Sequence, residues 1–188
     1  MANLVLSRDL FGKPIRQRRP KYEAALERLD RITLVERAAR VRWLAQKIPH
    51  NILMAMPFET MTVLQEAKSS FISGQFVATI VLASAFVEHW FTSNLNNLGF
   101  NKEANQGLAA AIVCARKNDL APSFLLDMAD NLRKIRNPFA HLKSFDHEFN
   151  PSRRARKMGA HAYELLERDA QNSIILIYAI GIHTFKQR

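Results

Sequence analysis

The sequence has very little cysteine, with Cys114 the single one among 188 residues. A lone cysteine cannot form an intrachain disulfide, and it cannot supply a cysteine-rich metal cluster. A reducing cytoplasm is therefore the compartment that we expect for this chain.

Long apolar runs are also scarce. The longest extends from Phe76 to Val87 and stops at Glu88 and His89, short of the roughly 20 residues that span a bilayer. The N-terminus carries several arginines but no apolar run followed by a small-residue cleavage site. We expect no membrane association and a cytoplasmic protein.

The motifs of several enzyme classes are missing. The chain has no glycine-rich phosphate loop and no Gly-x-Ser-x-Gly elbow, so it does not read as an NTPase or a serine hydrolase. Asp146, His147 and Glu148 are consecutive, and consecutive helical side chains point in different directions. We therefore expect no metal site and no cofactor.

Acidic residues are few compared with basic ones. The chain has 27 lysines and arginines against 17 aspartates and glutamates, which gives a net charge of +10. Residues 1–50 carry +7, residues 51–130 carry −3, and residues 131–188 carry +6. Basic ends around a slightly acidic middle favour an anionic partner such as nucleic acid.

No β-alternation longer than a few residues occurs, whereas apolar residues recur at helical spacing along most of the chain. The most apolar predicted helix, over about residues 75–98, has apolar residues around most of its circumference, which is typical of the centre of a bundle. A last helix opens at Asn150 and Pro151, with Gly159 as a candidate break. The sequence predicts an all-α bundle.

A helix is also predicted between Lys21 and Lys47. Thr33 and Glu36 have the spacing of a capping box, which predicts a helix start at Thr33. The core spacing of that helix is followed by Leu34, Ala38, Val41 and either Leu44 or Ala45, which leaves Arg37, Arg40 and Lys47 off the core stripe. A DNA-binding regulator could use these two arginines, but no helix-turn-helix turn is recognisable.

The hexapeptide from Arg136 to His141 ends a predicted amphipathic helix. Pro138 disfavours helical backbone at Asn137, so we expect the helix to end or kink there. Asn137 would then cap a new helix with Pro138 at its first position. Free N–H groups at such a helix start would bind phosphate beside Arg136.

Arg136 and His141 together suit phosphodiester chemistry. A guanidinium grips a phosphate through two parallel hydrogen bonds, and an imidazole exchanges protons near neutral pH. An ordinary structural interpretation stays open beside this one. In it Arg136 neutralises a carboxylate, Asn137 only caps a helix, and His141 forms a hydrogen bond in the core.

An arginine, a polar residue, three further residues and a histidine at the end of a helix resemble the motif of HEPN domains, the higher-eukaryote and prokaryote nucleotide-binding family. The run from Leu132 to Asn137 strengthens the match, as does the order of predicted helices before it. The resemblance implies a bundle of about five to seven helices with an N-terminal helical extension. It divides the chain into a basic arm (1–20), an extension (21–57) and a HEPN-like domain (58–188), the last two sharing one core.

The resemblance further implies a metal-independent endoribonuclease, a toxin or defence effector, that leaves a 2′,3′-cyclic phosphate. Arg136 would hold the scissile phosphate, His141 would transfer the proton, and Asn137 would orient them. The implied partners are RNA, a second copy with the motif near the interface, and an antitoxin or regulator. Basic residues flanking the motif would bind the RNA backbone: Arg133, Lys134, Arg153, Arg154, Arg156 and Lys157. The alternative is a catalytically inactive HEPN-like module that binds RNA, a nucleotide or a protein.

Overall fold

The computed structural model describes residues 21–48 and 56–183. These ranges are helical and contain no strand, so the predicted all-α class is confirmed. The basic arm predicted over 1–20 lies outside the described residues. The helices are, in chain order, α1 (Lys21–Lys47), α2 (Phe58–Ile72), α3 (Phe76–Asn97), α4 (Asn101–Ala104), α5 (Leu108–Lys117), α6 (Ser123–Ala140), α7 (Pro151–Met158) and α8 (Ala162–Ile182).

The chain divides into two compact units, Met1–Glu36 and Arg37–Arg188. The boundary falls inside α1, and so inside the extension predicted over 21–57. In the described part of the first unit, residues 21–36, the apolar side chains of α1 are exposed. The core described below belongs to the second unit.

Helix α1 begins well before the predicted cap at Thr33. The Thr33 hydroxyl donates a hydrogen bond back to the carbonyl oxygen of Leu29, 3.1 Å away, which is a bond made within a helix. The predicted start at Thr33 is therefore wrong. A threonine and glutamate three residues apart also occur inside helices, where the threonine hydroxyl finds a carbonyl of the preceding turn.

Arg40 is buried, with only 7% of its surface exposed, although the sequence places it off the core stripe. Its guanidinium donates to the carbonyl oxygen of Ile72 at 3.0 Å and to the Glu167 carboxylate at 3.3 Å. It also lies over the Phe76 ring, 5.2 Å from the ring centre. The last carbonyls of a helix lack intrahelical donors, so a guanidinium at the end of α2 satisfies a group that would otherwise need water.

This corrects two sequence-based expectations about α1. Leu44 is buried one turn after Arg40, whereas Leu34 and Val41 are exposed. The buried stripe is therefore rotated towards Arg40. The arginine that a DNA-binding surface would need is used inside the fold.

Helix α3 contacts α2, α4, α5, α6 and α8. These contacts agree with its predicted place at the centre of the bundle. The buried residues include Phe76, Ile80, Ala83, Phe86, Val87 and Phe91. Val77 and Val81 are exposed, so the apolar circumference of α3 is only partly buried. Cys114 on α5 is buried in the same core.

The 22 residues of α3 are long and apolar enough to cross a membrane by length and composition alone. This corrects the expectation that no segment of the chain reaches that length. A core helix of a bundle has the same composition, and α3 is contacted by five other helices. The absence of membrane association stays a prediction, as does the cytoplasmic location.

Several helix boundaries lie at prolines and glycines of the sequence. Helix α2 follows Pro57 and ends before Gly74, which has a φ of +76°. Asn150 precedes α7, and Pro151 is its first residue. Gly159 adopts left-handed backbone with a φ of 63°, and it separates α7 from α8 as expected.

Replacing Arg40 with alanine should lower the free energy of unfolding by about 2–3 kcal/mol, because the Ile72 carbonyl and the Glu167 carboxylate lose a buried donor. Urea denaturation would measure the change. The matched control is Arg42→Ala, which removes an exposed arginine of the same helix. Equal small losses in both variants would contradict the anchoring role of Arg40.

Candidate phosphate site at the end of helix α6

Helix α6 continues through Pro138 to Ala140, so the break predicted at Asn137 does not occur. The backbone N–H of His141 donates to the carbonyl oxygen of Asn137 at 2.9 Å, which extends the helical hydrogen bonding beyond the proline. His141 itself has extended backbone, with φ of −141° and ψ of 128°. The helix therefore ends at the histidine rather than before the proline.

The position of Pro138 explains why the helix survives it. A proline costs about 3 kcal/mol in a helix interior, through a lost donor and a clash with the preceding turn. Pro138 lies in the last turn, where few further bonds depend on it. Leu132 and Ile135 are buried and Phe139 packs against the core, which offsets the cost. Tertiary packing thus outweighs the local preference.

This correction changes the electrostatics of the site. A helix starting at Asn137 would present N–H groups, whereas the end of α6 presents carbonyl oxygens. The predicted backbone cradle for phosphate is therefore wrong. The C-terminal end of a helix carries partial negative charge and favours cations in its last turn, but the last turn of α6 holds none, and Arg136 precedes it. Any anion bound here must be held by side chains.

Arg136 is half-buried near the end of α6. Within residues 21–48 and 56–183, its side chain makes no hydrogen bond and no ion pair. The structural alternative in which Arg136 neutralises a carboxylate is therefore wrong for this part of the chain. No buried polar side-chain atom there lacks a partner either, so the guanidinium donors reach solvent. They are accessible to a ligand.

His141 is exposed, so its imidazole is not part of the core, as the structural alternative required. Asn137 does not cap a helix, and its backbone carbonyl accepts the last bond of α6. Neither side chain has a hydrogen-bond partner among the residues that the structure describes. Positions 136 and 141 are roughly 140° apart around a continuous helix. The side chains of Arg136 and His141 therefore leave the backbone on different sides of α6.

Asp130 holds two of the predicted RNA-binding cations. Its carboxylate is 2.7 Å from both the Arg133 guanidinium and the Lys134 amine. Burial acts to raise the pKa of the Asp130 carboxyl, but hydrogen bonds from Lys134 and Arg133 and their charges outweigh it, so the pKa lies below its usual value. The positive charge on this face of α6 is partly neutralised. The spacing of three and four residues makes this cluster readable from sequence.

The four predicted cations of α7 divide into two kinds. Arg154 donates through both terminal nitrogens to the buried Asp169 of α8, at 2.5 and 2.9 Å. Such a bidentate pair ties the two helices together. Arg153, Arg156 and Lys157 are exposed. Asp169 lies 15 residues from its partner, and no sequence pattern points to the pair.

In the described ranges, no group of three or more histidine, cysteine, aspartate or glutamate side chains could hold a metal ion. The imidazole of His147 accepts a hydrogen bond from the backbone N–H of Phe149 at 3.3 Å. Glu88 of α3 lies beside Gly107 at the start of α5, rather than among the motif residues of α6. A Cβ atom added at Gly107 would lie 3.6 Å from the Glu88 carboxylate oxygen.

No protein-family model, no curated protein and no solved structure matches this chain. The resemblance to HEPN domains accordingly rests on the residues of the motif and on the order of the helices.

Replacing Asp130 with asparagine should lower the unfolding free energy at neutral pH by about 1 kcal/mol or less, because the pair is partly solvated. The depressed pKa stabilises the fold above the unfolded carboxyl pKa of about 3.9, and this advantage is lost as the pH falls through the folded pKa. Wild type and variant should therefore converge in acid.

Urea unfolding at neutral and at several acidic pH values measures this convergence. Glu66→Gln, at an exposed position on α2, is the control for a general charge effect. A difference between wild type and Asp130→Asn that persists in strong acid would contradict the assignment.

Proposed function

We propose that this protein is a metal-independent endoribonuclease of the HEPN type that acts as a homodimer. The observation that carries the proposal is the Arg136 guanidinium, which has no internal partner in the described ranges and lies five residues before an exposed imidazole. In this proposal the chain is a toxin or defence effector, and an antitoxin or other regulator restrains it.

Arg136 has the chemistry to hold the scissile phosphate. A guanidinium presents parallel N–H donors that match two phosphate oxygens. The non-bridging phosphate oxygens gain negative charge as a fifth oxygen attacks phosphorus. A fixed cation therefore stabilises the transition state more than it stabilises the ground state. The neighbouring Asn137 carries an amide that orients the phosphate or the attacking group.

His141 is the proposed proton-transfer group. The ribose 2′-oxygen attacks phosphorus and loses its proton to an imidazole, while the bond from phosphorus to the 5′-oxygen breaks. The imidazolium then gives this proton to the leaving 5′-oxygen, which yields a 5′-hydroxyl and a 2′,3′-cyclic phosphate. DNA lacks the 2′-hydroxyl and cannot react by this route.

The proposed homodimer would bring together motif residues that a single α6 holds apart. Roughly 140° around α6 separates Arg136 from His141, which does not favour both residues of one chain acting on one phosphate. A two-fold symmetric pair of motifs offers the Arg136 of one subunit to the His141 of the other.

RNA binding is proposed for the cations around the motif. Arg153, Arg156 and Lys157 are exposed and free to contact phosphates, whereas Arg133 and Lys134 share the charge of Asp130. Backbone contacts of this kind are independent of sequence and weaken with salt. Arg154 would act indirectly, because its bond to Asp169 fixes α7 against α8.

A catalytically inactive RNA-, nucleotide- or protein-binding module is the second candidate. It is favoured by the same continuous α6, which separates the two motif residues in each chain. In that module, substitution of Arg136 or His141 would leave the biological activity intact.

Wild-type protein should cleave labelled single-stranded RNA or tRNA in the presence of EDTA. Arg136→Ala and His141→Ala should each slow cleavage by about 100-fold or more. The first variant loses the cation that holds the phosphate, and the second loses the group that transfers the proton. Gel analysis of the products should show 2′,3′-cyclic ends. An RNA with a 2′-deoxy sugar at the cleaved position should stay intact.

Arg42→Ala and Lys102→Ala, at exposed positions outside the motif, are the controls and should cleave like wild type. Intact RNA with wild-type protein, or unchanged cleavage by both motif variants, would favour the binding module.

Mixing the two inactive variants distinguishes a composite site from a single-chain site. If Arg136 and His141 act across the dimer, a refolded equimolar mixture should recover about a quarter of the wild-type rate, since half the dimers are mixed and each has one complete site. If both residues act in one chain, the mixture stays inactive. Cleavage rates of the mixture and of each variant alone provide the measurement.

A further inference from the structure

Phe145 is a large apolar side chain with 76% of its surface exposed. It lies in the segment 141–150 between α6 and α7, four residues after His141. Leu142 in the same segment is fully exposed. A single exposed apolar residue is common on protein surfaces, whereas neighbouring exposed apolar side chains beside a proposed site suit contact with a ligand.

The ring of Phe145 lies in cationic surroundings. The Arg156 guanidinium is 5.9 Å from the ring centre, within the range of a cation–π contact. Arg153, Arg156 and Ser152 line a recess of about 110 Å³ together with Phe145. One carboxylate, Asp146, also lines the recess, and a hydrogen bond from Ser144 lowers the pKa of its carboxyl. Two guanidinium groups thus face one negative charge.

Hydrogen bonds fix the backbone that carries Phe145. The Asn150 side-chain amide donates to the carbonyl oxygens of Ser144 at 2.7 Å and of Phe145 at 3.2 Å. The backbone N–H of His147 donates to the Ser144 carbonyl oxygen at 3.0 Å. The exposed ring is therefore presented by an ordered turn, which lowers the entropy cost of binding a flat ligand.

We propose that Phe145, with Arg156 and Arg153 beside it, is a stacking platform for one unpaired base of single-stranded RNA. A base places its π-face on the ring, and the two guanidinium groups contact the phosphates on either side of that nucleotide. The choice of RNA as the ligand rests on the proposed function. His141 is four residues away, and four residues of chain span at most about 14 Å, so we place the stacked base within a few nucleotides of the scissile phosphate.

Stacking of this kind predicts a particular specificity. Every base has a π-face, so the platform discriminates little among the four bases. A paired base inside a duplex cannot reach the ring, so duplex RNA does not use it. The platform thus selects unpaired RNA rather than a sequence.

The test measures binding of short oligouridylate, oligoadenylate and duplex RNA in a His141→Ala background, which suppresses cleavage. Phe145→Ala should weaken single-stranded binding about tenfold and leave duplex binding unchanged. Phe145→Trp should retain affinity, and single-stranded RNA should quench the added tryptophan fluorescence relative to the parent.

Phe58→Trp is the matched control, because Phe58 is 81% exposed and begins α2 outside the basic segment. RNA should not quench its fluorescence. Arg156→Ala should weaken single-stranded binding and reduce its dependence on salt concentration, since one phosphate contact is lost.

Unchanged single-stranded affinity in Phe145→Ala would overturn the platform. Sedimentation could instead show that Phe145→Ala converts a dimer to a monomer while RNA affinity is retained. That outcome would also overturn the platform, and it would place the ring between two copies of the chain. If wild-type protein binds but does not cleave, the ribonuclease proposal fails while a loss of binding in Phe145→Ala still supports the platform.

Discussion

Burial of α3 is the constraint on which the second unit depends. Nine residues of this helix are buried, so its broad apolar face must be covered, and α2, α4, α5, α6 and α8 contact it. The packing also determines the backbone conformation of the motif. Leu132 and Ile135 must lie against the core, and the backbone that carries them stays helical through Pro138. The position of Arg136 is thus a result of core packing.

Arginines serve two different purposes in this basic chain. Arg40 is buried and Arg154 is half-buried, and each joins helices through hydrogen bonds to a carbonyl or a carboxylate. Arg153 and Arg156 stay exposed, and Arg136 keeps its donors free of partners in the described ranges. Net charge alone therefore overstates the surface that is available to an anion, because part of it stabilises the protein.

Apolar periodicity predicted the helical class and the central helix, because each depends on a pattern repeated over many residues. Local signals at Pro151 and Gly159 predicted the start of α7 and its separation from α8. Sequence reasoning failed where one local signal opposed tertiary packing. Thr33 and Pro138 both carry genuine terminus signals, yet both lie inside helices. The motif residues were readable from the sequence. Their separation around α6 and the use of Arg154 by Asp169 were not, since both depend on the arrangement of helices.

The burial of Cys114 has a practical consequence for work in solution. Its thiol lies in the core and is the only one in the chain, so reagents that modify accessible thiols should leave the folded protein unmodified. A cysteine introduced at an exposed position such as Leu142 would then be the sole reactive thiol. A dye or spin label could therefore be attached beside the motif without first removing a native residue.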